Sequence, residues 1–194
     1  GAWTKRIHPG LAAQNGIHAA MLAAEGFLGP RRILEGRDGF LHAYSRHAVP
    51  ERLTARLGDS FEILRTAVKP HACCRYMQGP IDAVLALSRE NSITPEQIQR
   101  IDVAVLEAGW GLVCHPREKK YHPETVVDAQ FSMPFGAAVA LVCGAAGLDE
   151  FTLDQIHSPR VLEAMNKVVL LKDARIEENF PREWPSRVVI HLLN

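Results

Sequence analysis

The sequence lacks the features that mark several large functional classes. It has no excess of charge, with 22 Lys and Arg against 22 Asp and Glu, so it offers no electrostatic footprint for nucleic acid or an anionic membrane surface. Its longest apolar stretch, residues 133–148, is shorter than a membrane span and contains Pro134. No secretory signal pattern is visible at its beginning. These absences predict a cytoplasmic protein with neither nucleic acid nor membrane as a partner.

Motifs for nucleotide, hydrolase and zinc-protease chemistry are absent as well. The sequence contains no G-x-G-x-x-G, no P-loop, no G-x-S-x-G and no H-E-x-x-H. Its four cysteines are too few for a disulfide framework in a chain of 194 residues, and they lack the spacing of a zinc finger; they are Cys73, Cys74, Cys114 and Cys143. We therefore predict four free thiols and no metal site.

The first fifty residues predict helices and no strand. Alanine is frequent between Leu11 and Glu25, and this composition predicts a helix that Pro9 opens and Gly26 ends. Shorter helices are predicted at 31–35 and 39–45. His18 falls on an otherwise apolar face of the first helix, a position that favours a core histidine over a ligand.

After Pro50 the pattern mixes strands and helices. Strands are predicted at 60–68, 101–107, 168–176 and 188–193, helices at 81–90, 94–97, 128–146 and 158–168, and a loop at 109–125. Pro134 should end or kink the first turn of the 128–146 helix. The predicted fold class is α+β: a helical N-terminal segment, then a small domain with at least three strands covered by helices. We expect the last three strands to share one sheet, with the 81–90 and 136–146 helices on one face.

Two clusters of residues could carry chemistry. Lys5, Arg6 and His8 precede the predicted first helix, where three donors beside a positive helix end suit a carboxylate; a solvated basic terminus is the alternative. The segment from Lys69 to Tyr76 adds a lysine, a histidine, an arginine and a phenol on irregular backbone. Its alternative is structural, with Arg75 paired to an acid and the cysteines in the core. His115, Lys119, Lys120 and His122 favour a solvated loop.

Three segments together resemble the MmgE/PrpD family, which includes 2-methylcitrate dehydratase, cis-aconitate decarboxylase and iminodisuccinate epimerase. Residues 4–16 and 26–40 resemble its K-R-x-H-x-G stretch, alanine-rich helix and G-F-x-G-P turn. Residues 69–83 are similar to its K-P-Y-P-x-C-x-x-x-H-x-x-I-D motif, and residues 128–135 to its D-A-x-F-S-L-P-Y motif. Residues 181–188 resemble its P-x-x-x-P-x-x-V strand. The resemblance covers nearly all of the chain.

The resemblance implies a larger protein than this chain. Family members have a large helical domain and a smaller α+β lid domain, so residues 1–50 are expected to be the tail of the former. Residues 51–194 are then expected to be a lid-type domain truncated at its C-terminus. The resemblance also implies that the protein is a homodimer and that its reaction needs no cofactor. By the same resemblance, further acid/base residues of the family lie in a helical part expected ahead of Gly1.

The family chemistry takes a proton from a carbon next to a carboxylate and then eliminates water or carbon dioxide, or returns the proton. By resemblance, Lys5 and Lys69 match the family's active-site lysines, and His8 is the general acid/base of this segment. Arg75, Arg6 and Gln78 are the expected substrate-binding residues. Gln78 stands where the family often has a histidine, and an amide cannot shuttle a proton near neutral pH.

These residues imply an enzyme for a small di- or tricarboxylate, most simply a lyase like 2-methylcitrate dehydratase. The epimerase and decarboxylase reactions of the same family remain alternatives. Two readings without turnover also stay open: a domain fragment with a packing, lid or dimerisation role, and a small-anion binding module.

Overall fold

The structure, a computed structural model, describes residues 3–193. The chain divides into two compact units, an N-terminal unit (Ala2–Ala67) and a C-terminal unit (Val68–Asn194). None of the helices in residues 3–193 is long and apolar enough to cross a membrane.

The N-terminal unit is helical, as predicted. It contains α1 (Thr4–Ala24), α2 (Phe40–Tyr44) and two 3-10 turns, Pro50–Leu53 and Glu62–Arg65. Helix α1 begins at Thr4 and not at Leu11, so Pro9 lies inside it. Lysine and arginine are good helix formers, and the residues before Pro9 extend the helix toward its N-terminus.

Helix α1 has no buried residue, although apolar side chains and alanines occur on every side of it. The expectation that His18 is a core histidine is therefore wrong in this structure, because the face that carries it is exposed. Among residues 3–67, the structure buries Gly39 alone. The apolar residues of α1 therefore form no single buried stripe against a core of this unit.

Two predicted elements of this unit are wrong. Residues 31–35 form turns instead of a helix, because the chain folds back on itself through a bond from the Phe40 amide to the Ile33 carbonyl (2.7 Å). Residues 60–68 contain the Glu62–Arg65 3-10 turn and no strand. With no neighbouring strand to pair with, this segment satisfies its backbone locally, as in the bond from the Leu64 amide to the Phe61 carbonyl (3.1 Å).

The C-terminal unit contains seven α-helices and three strands within its described residues. The helices are α3 (Gln78–Glu90), α4 (Glu107–Val113), α5 (Arg117–Tyr121), α6 (Val126–Ala129), α7 (Met133–Cys143), α8 (Leu153–Ile156) and α9 (Pro159–Asn166). The strands are β1 (Ile98–Ala104), β2 (Val168–Leu171) and β3 (Arg187–Leu192). Three short 3-10 turns lie at Arg75–Met77, Pro95–Gln97 and Ala174–Ile176. The predicted α+β class is confirmed.

The three strands form one sheet in the order β2-β1-β3, as predicted. Strand β1 runs parallel to β2, with Ile101 opposite Val168, and antiparallel to β3, with Ile101 opposite Ile190. Helix α3 packs on β3 and α7 packs on β2, and Ile101 and Val103 are fully buried in the core that these elements enclose. The period-two pattern of β1 thus marks its buried face.

Helix α7 occupies the centre of the C-terminal unit. Nine of its eleven residues are buried, and it packs against α3, α9 and β2. Its N-cap is Ser132, whose hydroxyl accepts from the Phe135 amide, and Pro134 sits in the first turn. The single predicted helix over 128–146 is therefore two helices, α6 and α7, with the break beside Pro134 as expected.

Two further predictions are corrected in this unit. The predicted loop at 109–125 includes most of α4 and all of α5. Each helix has an acidic residue in its first turn, Glu107 and Glu118, which favours a helix start. The predicted strand at 168–176 ends at Leu171, because the Asp173 carboxylate accepts from the Arg175 amide (3.1 Å) and begins a 3-10 turn.

The face of the sheet opposite the helices carries charged side chains. The Asp102 carboxylate accepts from the Arg100 guanidinium and from His191 Nε2, both at 2.9 Å. Partial burial by itself raises the pKa of Asp102, but the hydrogen bonds from His191 and Arg100 outweigh it and hold that pKa below its usual range. Because this face of the sheet is polar, the apolar core lies on the side that the helices cover.

Candidate functional site

The segment from Lys69 to Met77, here called the Lys69 turn, is the best-defined part of the candidate site. It has irregular backbone that ends in a 3-10 turn at Arg75–Met77 and leads directly into α3. His71, Cys73 and Cys74 are buried, while Lys69 and Arg75 are exposed. The turn thus has a fixed interior and two cations at its surface.

Gln78, the first residue of α3, holds this turn in place. Its side chain is 3% exposed. The Oε1 atom accepts from the His71 amide (2.9 Å), and Nε2 donates to the carbonyls of His71 (3.1 Å) and Cys73 (3.3 Å). The amide therefore replaces the regular backbone pairing that an irregular buried segment lacks. We predicted a substrate-binding role for Gln78; the structure places its polar atoms on the turn itself.

Lys69 is an exposed lysine that is anchored at its tip. Its ammonium donates to the Cys73 carbonyl at 3.4 Å. A lysine ammonium has three donors, so this contact orients Lys69 and leaves it able to bind a carboxylate.

Arg75 lies against an aromatic cluster, and it makes no ion pair with an acid among residues 3–193. Its guanidinium carbon is 4.9 Å from the centre of the Trp184 ring, and the Tyr76 ring lies 4.8 Å from the same ring. Phe180 also packs against Trp184, with 5.4 Å between the two ring centres. A guanidinium stacked on an aromatic ring keeps its N–H donors at the edge available for a planar anion. These contacts do not support the alternative in which Arg75 forms an ion pair with an acid.

His71 has a partner that sequence reasoning did not identify. Its Nε2 lies 2.9 Å from Asp82 Oδ1 on α3, and the histidine side chain is 9% exposed against 62% for the aspartate. The carboxylate fixes the orientation of the ring. The signal was present in the sequence, since Asp82 belongs to the I-D pair of the family motif.

The Cys73 and Cys114 thiols are not activated nucleophiles. Burial raises the pKa of Cys73 to about 12 and that of Cys114 to about 12. All four cysteines are free, and Cys143 alone among them is exposed. Within residues 3–193, no group of three or more His, Cys, Asp or Glu side chains could hold a metal ion.

Alkylation of the folded chain with iodoacetamide at pH 8 is expected to label Cys143 first, because the other three thiols are buried. Mass spectrometry should show one fast site in the native protein. All four should react after unfolding without reductant. Rapid labelling of Cys73 in the native protein, or fewer than four thiols after unfolding, would contradict this assignment.

The first predicted cluster lies in the N-terminal unit. Lys5, Arg6 and His8 are all within α1, not ahead of it. Lys5 and His8 are three residues apart and so are neighbours on the helix surface, whereas the Arg6 guanidinium lies 4.7 Å from the Trp3 ring centre. The structure thus places Lys5 and His8 on one side of α1. It places Lys69 and Arg75 on the Lys69 turn and Gln78 directly after it, with the Gln78 side chain bonded to the turn.

Lys120 is a lysine whose surroundings the sequence did not indicate. Both Lys119 and Lys120 lie in α5 and not in a loop. Lys119 is exposed as predicted, whereas Lys120 is half-buried. Its ammonium donates to the Leu112 carbonyl at 2.6 Å. No short motif marks such a lysine, because its burial depends on how α4 and α5 fold within the predicted loop.

Two family models match separate parts of this chain. The family model of the MmgE/PrpD N-terminal domain matches residues 1–53, and that of the MmgE/PrpD C-terminal domain matches residues 71–194. The chain belongs to the MmgE/PrpD family. The resemblance that the three motifs predicted is therefore confirmed.

Curated relatives of this MmgE/PrpD chain are fungal and mammalian. It is 27% identical over 191 residues to cis-aconitate decarboxylase-like protein oryM of Aspergillus oryzae, covering 90% of this chain and 38% of the relative. It is 29% identical over 188 residues to cis-aconitate decarboxylase of Aspergillus terreus (87% and 37%). The mouse cis-aconitate decarboxylase is 27% identical over 179 residues (86% and 34%). The chain thus spans between 34% and 38% of the length of these relatives.

Proposed function

We propose that the full-length protein is a cofactor-independent lyase that acts on a small di- or tricarboxylate at the carbon next to a carboxylate. The observation that supports this most is the match of the two family models to residues 1–53 and 71–194. The motif resemblance adds Lys5 and Lys69, which stand where the family has lysines. The geometry of the Lys69 turn adds a second support, since an anchored ammonium and a stacked guanidinium are exposed on one short segment. We also expect a homodimer.

The residues divide the work between charge and proton transfer. Lys69 and Lys5 hold carboxylates and stabilise the negative charge that develops when the neighbouring C–H bond breaks. Arg75 offers a planar, bidentate contact to a second carboxylate, and Arg6 adds positive charge on α1. His8 moves the proton as the general acid/base. Gln78 positions Lys69 and Arg75 by holding the turn.

Two lyase reactions, dehydration and decarboxylation, are candidates for the full-length protein. Dehydration, as in 2-methylcitrate dehydratase, removes a proton from one carbon and hydroxide from the next. Decarboxylation breaks a bond to a carboxylate carbon, leaves the electron pair on the remaining carbon and then protonates it. The names of the three relatives favour decarboxylation. Both reactions need cations for the carboxylates and one proton-transferring group, so the same residues serve either.

The deciding experiment is an assay of the purified full-length protein beside this chain alone. We expect the full-length protein to release carbon dioxide from cis-aconitate, or to form an alkene from 2-methylcitrate, without added metal or cofactor. We expect this chain alone to be inactive. No turnover of any di- or tricarboxylate by the full-length protein, with no dehydration, decarboxylation or epimerisation, would overturn the proposal and favour a packing or lid role.

A further inference from the structure

Lys120 is held more rigidly than a surface lysine. It lies in the last turn of α5, and its ammonium donates to the Leu112 carbonyl at 2.6 Å. Lys119, its neighbour in sequence, is exposed. The two adjacent lysines therefore carry the same charge, but one is exposed and the other is half-buried. They form a matched pair for mutagenesis.

The backbone of Lys120 is fixed by the residue that begins α7. The Ser132 hydroxyl donates to the Lys120 carbonyl and accepts from the Phe135 amide, and Ser132 is fully buried. Two residues earlier, the Gln130 carbonyl accepts from the Cys74 amide at 2.9 Å. The segment 130–132 thus contacts the Lys69 turn on one side and Lys120 on the other.

Lys120 and Lys69 each lie near one residue of the Cys73–Cys74 pair. Burial lowers the pKa of Lys120, and the nearby Asp128, Cys114 and Cys74 oppose that shift while Lys119 adds to it. Cys73 is the residue before Cys74, and the positive charge of Lys69 acts to lower the pKa of its thiol. The Lys69 ammonium also donates to the Cys73 carbonyl. Both lysines are therefore within electrostatic range of the Cys73–Cys74 pair.

We propose that Lys120 is a second substrate-binding lysine of the C-terminal unit, taking one carboxylate of the substrate while Lys69 takes another. This inference rests on the proposed function, from which it takes the class of substrate. One N–H of the ammonium is used by the Leu112 carbonyl, so two further donors can meet a carboxylate. A half-buried ammonium binds an anion more strongly than a solvated one does, because its field is less screened.

The test measures binding and does not depend on turnover. The probe is propane-1,2,3-tricarboxylate, which has neither a hydroxyl group nor a double bond, titrated into the full-length protein by calorimetry. We expect Lys120→Met to weaken binding by about tenfold or more, as Lys69→Met does, and Lys119→Met to change it less than about twofold. Melting temperatures of the variants show whether each is folded.

The pH dependence separates binding from a structural role. A lowered pKa means that Lys120 loses its proton at a lower pH than an exposed lysine, so tricarboxylate binding by the wild type should weaken early on the alkaline side. Lys120→Arg keeps its charge throughout, and its alkaline loss should move to higher pH. The groups that face Lys120 in this range are Asp128, Cys74, Cys114 and Lys119.

Each outcome decides between the two proposals. Equal binding by the Lys120→Met and Lys119→Met variants, with a loss in Lys69→Met, would overturn the role of Lys120 and leave the proposed function standing. No binding by the wild type would overturn the role of Lys120, whereas the turnover assay decides the proposed function. If Lys120→Met does not fold, the arginine variant decides, and identical alkaline limbs in it and the wild type would refute the inference.

Discussion

Replacing Lys69 by methionine in the full-length protein is expected to lower kcat/KM about ten- to a hundredfold. Methionine keeps most of the apolar stem and removes the charge, so the substrate loses a charge-assisted contact. Steady-state assays with the substrate identified for the full-length protein measure the change. The melting temperature should fall little, because Lys69 is exposed and contributes one 3.4 Å contact to the Cys73 carbonyl.

Lys119→Met is the control for the Lys69 variant. Both changes remove one exposed positive charge from the C-terminal unit, so they have the same effect on net charge. We expect kcat/KM of the Lys119 variant to stay within about twofold of the wild type. Equal and small losses in the two variants would mean that Lys69 is an ordinary surface lysine.

Gln78→Met is expected to lower the free energy of unfolding by about 2–4 kcal/mol. The side chains are similar in size, but methionine leaves the His71 amide and the carbonyls of His71 and Cys73 without their buried partner. Urea unfolding followed by circular dichroism measures the loss. In the full-length protein, kcat/KM should fall as well, because Lys69 and Arg75 lie on the turn that Gln78 holds.

Two further variants sharpen the test of Gln78. Gln99→Met changes an exposed glutamine of β1 and should alter stability by less than about 0.5 kcal/mol. Gln78→His should cost less than Gln78→Met, because a neutral imidazole offers one donor and one acceptor to the same backbone groups. A stability of Gln78→Met equal to that of the Gln99 control would show that the amide contacts do not hold the turn.

The regular part of the C-terminal unit follows from local patterns in the sequence. Strand β1 alternates apolar and polar residues, and α3 has a one-sided apolar stripe, so each was predicted from its own residues. The residues at 60–68 also alternate, yet they form a 3-10 turn. Alternation predicts a strand only where a partner strand exists, and the partner is a property of the whole fold.

The candidate site was only partly predictable for a related reason. Lys5 and Lys69 were found through motifs, which keep residue identity and spacing. The roles of Gln78 and Lys120 depend on which backbone groups fold over them, and those groups come from His71 to Cys74 and from Leu112. Hydrogen bonds between irregular segments leave no periodic trace in a sequence.

The surface of α1 governs how this chain should be handled as a laboratory sample. Ile7, Leu11 and Ile17 of α1, and Trp3 just before it, are all exposed. Exposed apolar surface of this kind promotes self-association. Val68–Asn194, by contrast, has an interior of its own that extends from β1 through α7 to α9. Limited trypsin digestion should therefore trim the N-terminal unit and spare the C-terminal one, which makes the latter the natural starting point for crystallisation.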